Sequence, residues 1–203
     1  MNAKVDPNWV AARYPYMRAV VIEAAEAIEH HGWKWWKKQE KDLPQLQMEL
    51  IDIWHFLLSE ILLSEEGSEA AALLKLTEEL ETIEGSQQVD FDGKQYHLMS
   101  MDLLAQLELL IALSAARKIE LSVFAAIMSN CEMGWTDLYC QYVGKNVLNF
   151  FRQDHGYQDG SYQKIWNGRE DNEYLVEVMA ELDPVDTEYK DKLYSALSSH
   201  YPN

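Results

Sequence analysis

Apolar residues recur at three- and four-residue intervals along almost the whole chain, the spacing of amphipathic α-helices. No stretch of strict apolar–polar alternation is long enough to predict a strand. A first helix is predicted over Tyr16–His31 and stops at Gly32, a residue suited to the left-handed turn that ends many helices. The stretch after it, Trp33-Lys34-Trp35-Trp36-Lys37-Lys38, is aromatic and basic. Asp42 then has the features of an N-cap, with Pro44 in the first turn and Gln45 three residues on. The helix it opens, LPQLQMELIDIWHFLLSEILLSEE, ends at Gly67. Its length would be about 35 Å at ~1.5 Å per residue. A third helix is predicted over Ser68–Glu84, ending at Gly85, and a polar turn region over Gly85–Lys94 that contains Asp92-Gly93. A fourth covers about Ser100–Lys118, with Leu103, Leu104, Leu107, Leu110 and Ile111 on its apolar face. Helices near Ser122–Glu132 and Thr136–Asp154 are separated by Gly134. A glycine-bearing loop, HGYQDGSYQKIWNG, follows, and two short helices split by Asp183-Pro184 close the chain. Neither an internal repeat nor a low-complexity tract is present. The pattern predicts an all-α helical bundle forming one domain over residues 1–203.

Composition narrows this further. A chain of 203 residues, 48% hydrophobic and 25% charged, buries a core of its own and is not disordered. Five Pro and nine Gly are too few for a turn-rich all-β fold. Thirty-four Asp and Glu against 17 Lys and Arg give a net charge of −17. A field of that sign repels nucleic acid and anionic membranes, so neither is expected as a partner. A polyanionic substrate would then need local cations or a bound metal. Cys131 and Cys140 cannot build a disulfide framework and suit a reducing compartment. With no signal-peptide pattern in MNAKVDPNWV and no long apolar run, the expectation is a cytoplasmic protein.

The most informative feature is a pair of carboxylate pairs. Glu23 and Glu26 lie three residues apart on the first long helix, and Glu49 and Asp52 three apart on the second. Each pair shares a helix face. Each also sits among apolar neighbours, Val20, Ala24 and Ala27 in one case, Leu50, Ile53 and Trp54 in the other. A carboxylate beside a buried stripe needs a reason. Two antiparallel helices would bring the four acids together, where like charges ~4 Å apart repel by ~4 kcal/mol at an effective dielectric of about 20. Such a site either protonates or holds divalent cations. Oxygen-only ligands point to Mg²⁺, or to Mn²⁺, rather than to zinc. The bland alternative is two solvated helix faces, since Glu at this spacing is commonplace.

Between Asp42 and Gly144 there are only four Lys or Arg. Lys145, Asn149 and Arg152 then fall on one helix stripe, and Tyr157 and Lys164 follow in the glycine-bearing loop. In so acidic a chain this cluster suits a phosphate group. The alternative is a surface helix whose cations offset nearby acids. Trp33, Trp35 and Trp36, with Trp54 and Phe56, read either as core or dimer interface, or as a stacking wall for a base or sugar. His55, three residues after Asp52, is half of a di-iron spacing, but no second Glu-x-x-His exists, so a core or supporting histidine is expected. No phosphate-binding glycine loop, nucleophile elbow or cysteine-rich zinc motif is present.

The run EAAEAIEHHGWKWWKKQ followed by QMELIDIWHF resembles the dimeric, all-α dUTP diphosphatases of the MazG-like nucleoside triphosphate pyrophosphohydrolases. Glu23, Glu26, Glu49 and Asp52 match the E-x-x-E…E-x-x-D signature of that superfamily. KNVLNFFRQDHGYQDGSYQKIWNGREDN resembles the C-terminal phosphate-binding motifs of the dUTPase branch, and Arg18 also fits. The resemblance spans roughly Tyr16–Asn172. It implies a MazG-like helical homodimer whose four acids coordinate Mg²⁺, with Glu26 accepting a proton from the attacking water. It implies that Phe56 packs on the deoxyribose and excludes a ribose hydroxyl. Lys145, Asn149, Arg152, Tyr157 and Lys164 would bind phosphate or sugar, and Trp33 would wall the nucleotide. The activity implied is hydrolysis of dUTP, and of dUDP, to dUMP. In the family a Gln and an Asn on an earlier helix read the uracil edge. Asn2 is the candidate for that Asn, while no Gln precedes it. Either the true start lies upstream or base recognition differs, and the second case favours one rival, a MazG-like enzyme for another nucleotide such as dCTP. The other rival is a non-catalytic helical metal-binding or interaction protein.

Overall fold

A computed structural model describes residues 2–83 and 87–202. Among these the chain forms α1 (Asn2–Val5), α2 (Trp9–Ala12), α3 (Tyr16–His31), α4 (Leu43–Ser64), α5 (Glu69–Ile83), β1 (Gln88–Phe91) and β2 (Lys94–His97). A 3₁₀ turn (Leu98–Ser100) leads to α6 (Leu103–Ala115), α7 (Leu121–Asn130) and α8 (Trp135–Asp154). The chain closes with β3 (Ile165–Trp166), β4 (Arg169–Glu170), α9 (Asp171–Glu181) and α10 (Tyr189–His200). The protein is all-α, as the periodicity predicts. The predicted end of the third helix at Glu84-Gly85 lies outside the described residues.

The chain divides into two compact units, residues 1–134 and 135–203. In the first, α3 packs on α4 and α6, and α7 packs on α5 and α6. Tyr16 stacks on Phe56, and His30 meets Glu49. Partners rise along α4 as they fall along α3, so the two helices are antiparallel. Val20, Ala24 and Ala27 of α3 and Leu46, Leu50 and Ile53 of α4 are fully buried. Alanine at two of these seam positions removes side-chain bulk and lets the backbones approach. Each buried Leu or Ile contributes roughly 1.5–3 kcal/mol. Asp42 caps α4 as expected, accepting a hydrogen bond from the Gln45 N–H at 3.2 Å. Gly32 ends α3 at φ 83°, in the left-handed region that glycine tolerates.

The predicted polar turn region proves to be a hairpin. β1 and β2 pair antiparallel, with Val89 opposite Tyr96. The connecting Asp92 and Gly93 both have positive φ, 51° and 71°, the geometry of a tight hairpin turn. Four-residue strands carry too few side chains to register as alternation, which is why the sequence pattern missed them.

In the second unit α8 packs on α9 and α10 around Val147, Leu148, Phe151, Trp166, Leu193 and Leu197. A second tiny hairpin turns at Asn167-Gly168, again with positive φ at both residues. It delivers the chain to α9, whose start carries a reciprocal capping box between Glu170 and Glu173. Among the described residues no helix is long and apolar enough to cross a membrane.

Candidate active site

The antiparallel seam of α3 and α4 carries the acids. Glu23, Glu49 and Asp52 each offer a carboxylate oxygen, and these oxygens all lie within 4.8 Å of one another. Glu49 is buried at 8% exposure, while Glu23 and Asp52 are half-buried. Burial, then the charges of Asp52, Glu26 and Glu49, push the Glu23 carboxyl up from 4.5 to about 7. The pocket is therefore electrostatically strained when only protons are available to neutralise it. Three converging oxygens, with a carboxyl that resists ionising, fit a hard divalent cation. Glu26 is exposed and stands outside the group of three, near enough to Glu23 to act on its charge.

Two side chains on α3 and α4 that sequence reasoning missed make contacts of note, the first of them in this pocket. His30 Nε2, at the end of α3, lies 3.3 Å from Glu49 Oε1. No spacing rule links residues on different helices, so this contact was invisible until the helices were docked. Ser59 is the other. It is buried at 2% exposure, one turn beyond Phe56 on α4, and its hydroxyl accepts a hydrogen bond from Asn2 Nδ2 at 3.1 Å. Asn2 is thus fastened to α4 on the stripe that also carries Asp52 and Phe56. Phe56 itself is half-buried, stacks on Tyr16 at 6.4 Å, and lines an open recess of about 320 Å³ with Tyr14, Arg18 and Ile22.

The aromatic stretch divides. Trp54 stacks on Phe124 at 5.5 Å inside the core. Trp35 and Trp36 are 86% and 59% exposed, so they are not core. Trp33 is half-buried, and its Nε1 donates to Glu29 at 2.6 Å. Lys34 bonds the other Glu29 oxygen at 2.7 Å, which draws Glu29 below the usual carboxylate range. This loop is therefore anchored to the last turn of α3 through one carboxylate. His55 is half-buried and lies edge-on to Phe56.

The remaining candidates belong to the second unit. Arg152 donates to both oxygens of Asp171, from Nε at 2.7 Å and Nη2 at 2.9 Å, and also to Asn172. Its third nitrogen, Nη1, reaches Asn149 at 3.4 Å. Asp171 is fully buried and accepts from the Tyr162 hydroxyl as well. Burial alone would raise the Asp171 carboxyl, but the bonds from Arg152 and Tyr162 outweigh it and hold it low. Lys145 and Asn149 are half-buried on α8. Lys164 is exposed and pairs with Glu170 at 3.2 Å, and Tyr157 is 56% exposed at the loop. The loop after α8 is held against an aromatic stack in which Phe151 meets Trp166, Tyr194 and Tyr201 at 5.2–5.7 Å.

An all-α protein with a carboxylate pocket on an antiparallel helix seam, and a separate basic and amide set on a later helix, has the parts of a metal-dependent enzyme acting on a phosphorylated substrate. The dUTPase family model matches residues 1–157, and the chain belongs to this all-α dUTPase family. Its activity is the hydrolysis of dUTP, and dUTPases of this family are metal-dependent in general. Among curated proteins none is similar enough to count as a relative.

Proposed function

We propose that the protein is a Mg²⁺-dependent dUTP and dUDP diphosphatase, with Mn²⁺ the alternative ion, and that it works as a homodimer. The observation that carries the metal assignment is the convergence of Glu23, Glu49 and Asp52 on one small volume. When bound there, Mg²⁺ would neutralise phosphate charge and make water a better nucleophile. Glu23, Glu49 and Asp52 would hold the ion, and His30 would orient the Glu49 carboxylate. Glu26, exposed on the same helix face, takes the proton released as water attacks phosphorus. One P–O bond forms, the anhydride P–O bond breaks, and pyrophosphate leaves dUTP, or phosphate leaves dUDP. Phe56 packs on the deoxyribose, leaving no room for a 2′-hydroxyl. Trp33 walls the nucleotide, and Asn2 contacts the base. Lys145, Asn149, Arg152, Tyr157 and Lys164 bind phosphate oxygens or the sugar. Arg152 suits that task because Asp171 and Asn172 fix its guanidinium plane before any anion arrives.

The test is turnover of dUTP, dUDP, dCTP, dTTP and UTP by the purified protein, with Mg²⁺, with Mn²⁺ and with EDTA. The expected result is strong preference for dUTP and dUDP and loss of turnover in EDTA. A preference for dCTP would overturn the substrate while sparing the fold. Comparable rates on UTP would remove the role given to Phe56. Turnover that persists in EDTA would remove the ion.

A further inference from the structure

We propose that Tyr162 is a positioning residue for the triphosphate. Its hydroxyl keys the loop that carries Tyr157 and Lys164 to the carboxylate that holds Arg152, so that the three side chains meet phosphate as one preformed receptor. The inference rests on the reading of Arg152, Tyr157 and Lys164 as phosphate contacts and goes one step behind it. These contacts come from two different kinds of chain. Arg152 stands in the last turn of α8, whereas Tyr157 and Lys164 lie in the segment 155–170 between α8 and α9. A loop of that length keeps its side chains in place only where something fastens it to a rigid element.

Tyr162 is fastened through its hydroxyl, its ring and its backbone. The hydroxyl donates to Asp171 Oδ2 at 2.8 Å. That oxygen also accepts from Arg152 Nε at 2.7 Å, and its twin accepts from Arg152 Nη2 at 2.9 Å. The direction of the Tyr162 bond is fixed by charge. The Asp171 carboxyl is held low against the cost of its burial by Arg152 and Tyr162, so it is ionised and only accepts. Burial, and then the bond to Asp171, raise the Tyr162 hydroxyl, so it keeps its proton and donates. The ring lies nearly parallel to Tyr201 at 5.5 Å and edge-on to Tyr157 at 6.0 Å. The Tyr162 backbone N–H donates to the Gly156 carbonyl at 3.3 Å, closing the turn that holds Tyr157. Two residues beyond Tyr162, the Lys164 carbonyl accepts from the Asp171 N–H at 3.0 Å. Tyr157 is thus reached through the ring, Lys164 through the backbone of Asp171, and Arg152 through the shared carboxylate. Without the hydroxyl the Asp171–Arg152 pair can persist, but the loop is no longer keyed to it. Ordering the loop would then fall on the binding step, because side chains that are not preorganised must be immobilised by the ligand.

The experiment compares the full-length wild type with Tyr162→Phe, Lys164→Gln, Arg152→Lys and the Tyr162→Phe/Lys164→Gln double variant. With Mg²⁺ in excess, the readouts are kcat and KM for dUTP, the inhibition constant of pyrophosphate, and that of deoxyuridine, which carries no phosphate. Tyr162→Phe is expected to raise KM and the pyrophosphate constant about tenfold, with kcat within about twofold and the deoxyuridine constant unchanged. That split is the mark of binding lost equally from the ground and transition states. Lys164→Gln and Arg152→Lys raise KM on their own. In the double variant KM rises by less than the product of the two single effects, since Tyr162 acts partly through Lys164. If Tyr162→Phe does not fold, Tyr162→His, whose shorter ring stops short of Asp171, carries the same expectation. A fall in kcat at unchanged KM would overturn the role of Tyr162, as would a deoxyuridine constant that rises in step with KM, or a fully multiplicative double variant. So would no change in Tyr162→Phe while Lys164→Gln and Arg152→Lys raise KM; each of these leaves the phosphate contacts standing. Unchanged KM in both Lys164→Gln and Arg152→Lys would overturn the reading of the phosphate contacts, and Tyr162 with it.

Discussion

Glu23→Gln should make the metal-free protein more stable at neutral and alkaline pH while weakening its response to cations. The native Glu23 carboxyl holds its proton up to about 7, against 4.5 when free of its neighbours. Between those values the native state binds more protons than the unfolded state, so stability falls as pH rises through the window and stays reduced above it. At ~1.4 kcal/mol for each tenfold change the ceiling is ~3 kcal/mol. Much of the side chain faces solvent, and screening brings the figure to ~1 kcal/mol. The assay is thermal or urea unfolding in EDTA at about pH 4.5 and about pH 8. Glu23→Gln should match wild type at the lower pH and melt roughly 2–4 °C higher at the upper one. Adding excess Mg²⁺ should reverse the order. Wild type then gains ~2.7 kcal/mol at about 100 times the dissociation constant, and the variant gains much less. A variant that melts below wild type in EDTA at the higher pH would refute the claim that these carboxylates repel one another.

Glu49→Gln should lower kcat/KM for dUTP by ~10²-fold with the fold intact by circular dichroism; unaltered turnover would remove Glu49 from the site. Asp171→Asn strands a half-buried Arg152 and should cost ~3–5 kcal/mol in urea unfolding. Because Asp171 is held below its ordinary value, the stability it supplies is present above ~3.8, its unfolded pKa, and is lost as pH falls through the native value. A loss under ~1 kcal/mol would show that the pair is no more than a surface contact. Trp35→Ala should leave stability within ~0.5 kcal/mol of wild type, as an exposed position requires, and a larger drop would return Trp35 to a packed interface.

What could be read from the chain follows from which forces are local. The limits of α3 were legible because a long apolar period ends at a glycine whose left-handed φ closes the helix. The start of α4 was legible because Asp42, Pro44 and Gln45 act within one turn. Glu23, Glu49 and Asp52 came together because each sits at helical spacing beside the seam. The spacing of Glu26 places it on the same face but does not show that it stays outside in water. Asn2 with Ser59, His30 with Glu49, and Arg152 with Asp171 are partners separated by 57, 19 and 19 positions. Helix docking, rather than periodicity, makes those contacts. Trp35 and Trp36 lie outside the core with their rings edge-on to each other at 4.5 Å, and hydrophobic character alone does not separate a core position from an exposed face.

The family match ends at residue 157, yet the loop it leads into leans on what comes after. The Gln163 N–H donates to the Tyr201 hydroxyl at 3.1 Å, and Tyr201 lies nearly parallel to Tyr162 at 5.5 Å. Leu193 and Leu197 of α10 belong to the same core as Phe151. The final helix is thus a brace for a loop it does not belong to. Anyone trimming the chain at residue 157 would keep Lys145, Asn149, Arg152 and Tyr157 but lose Lys164, Asp171 and the aromatic stack that holds the loop, and a tag joined next to Tyr201 would press on the same joint.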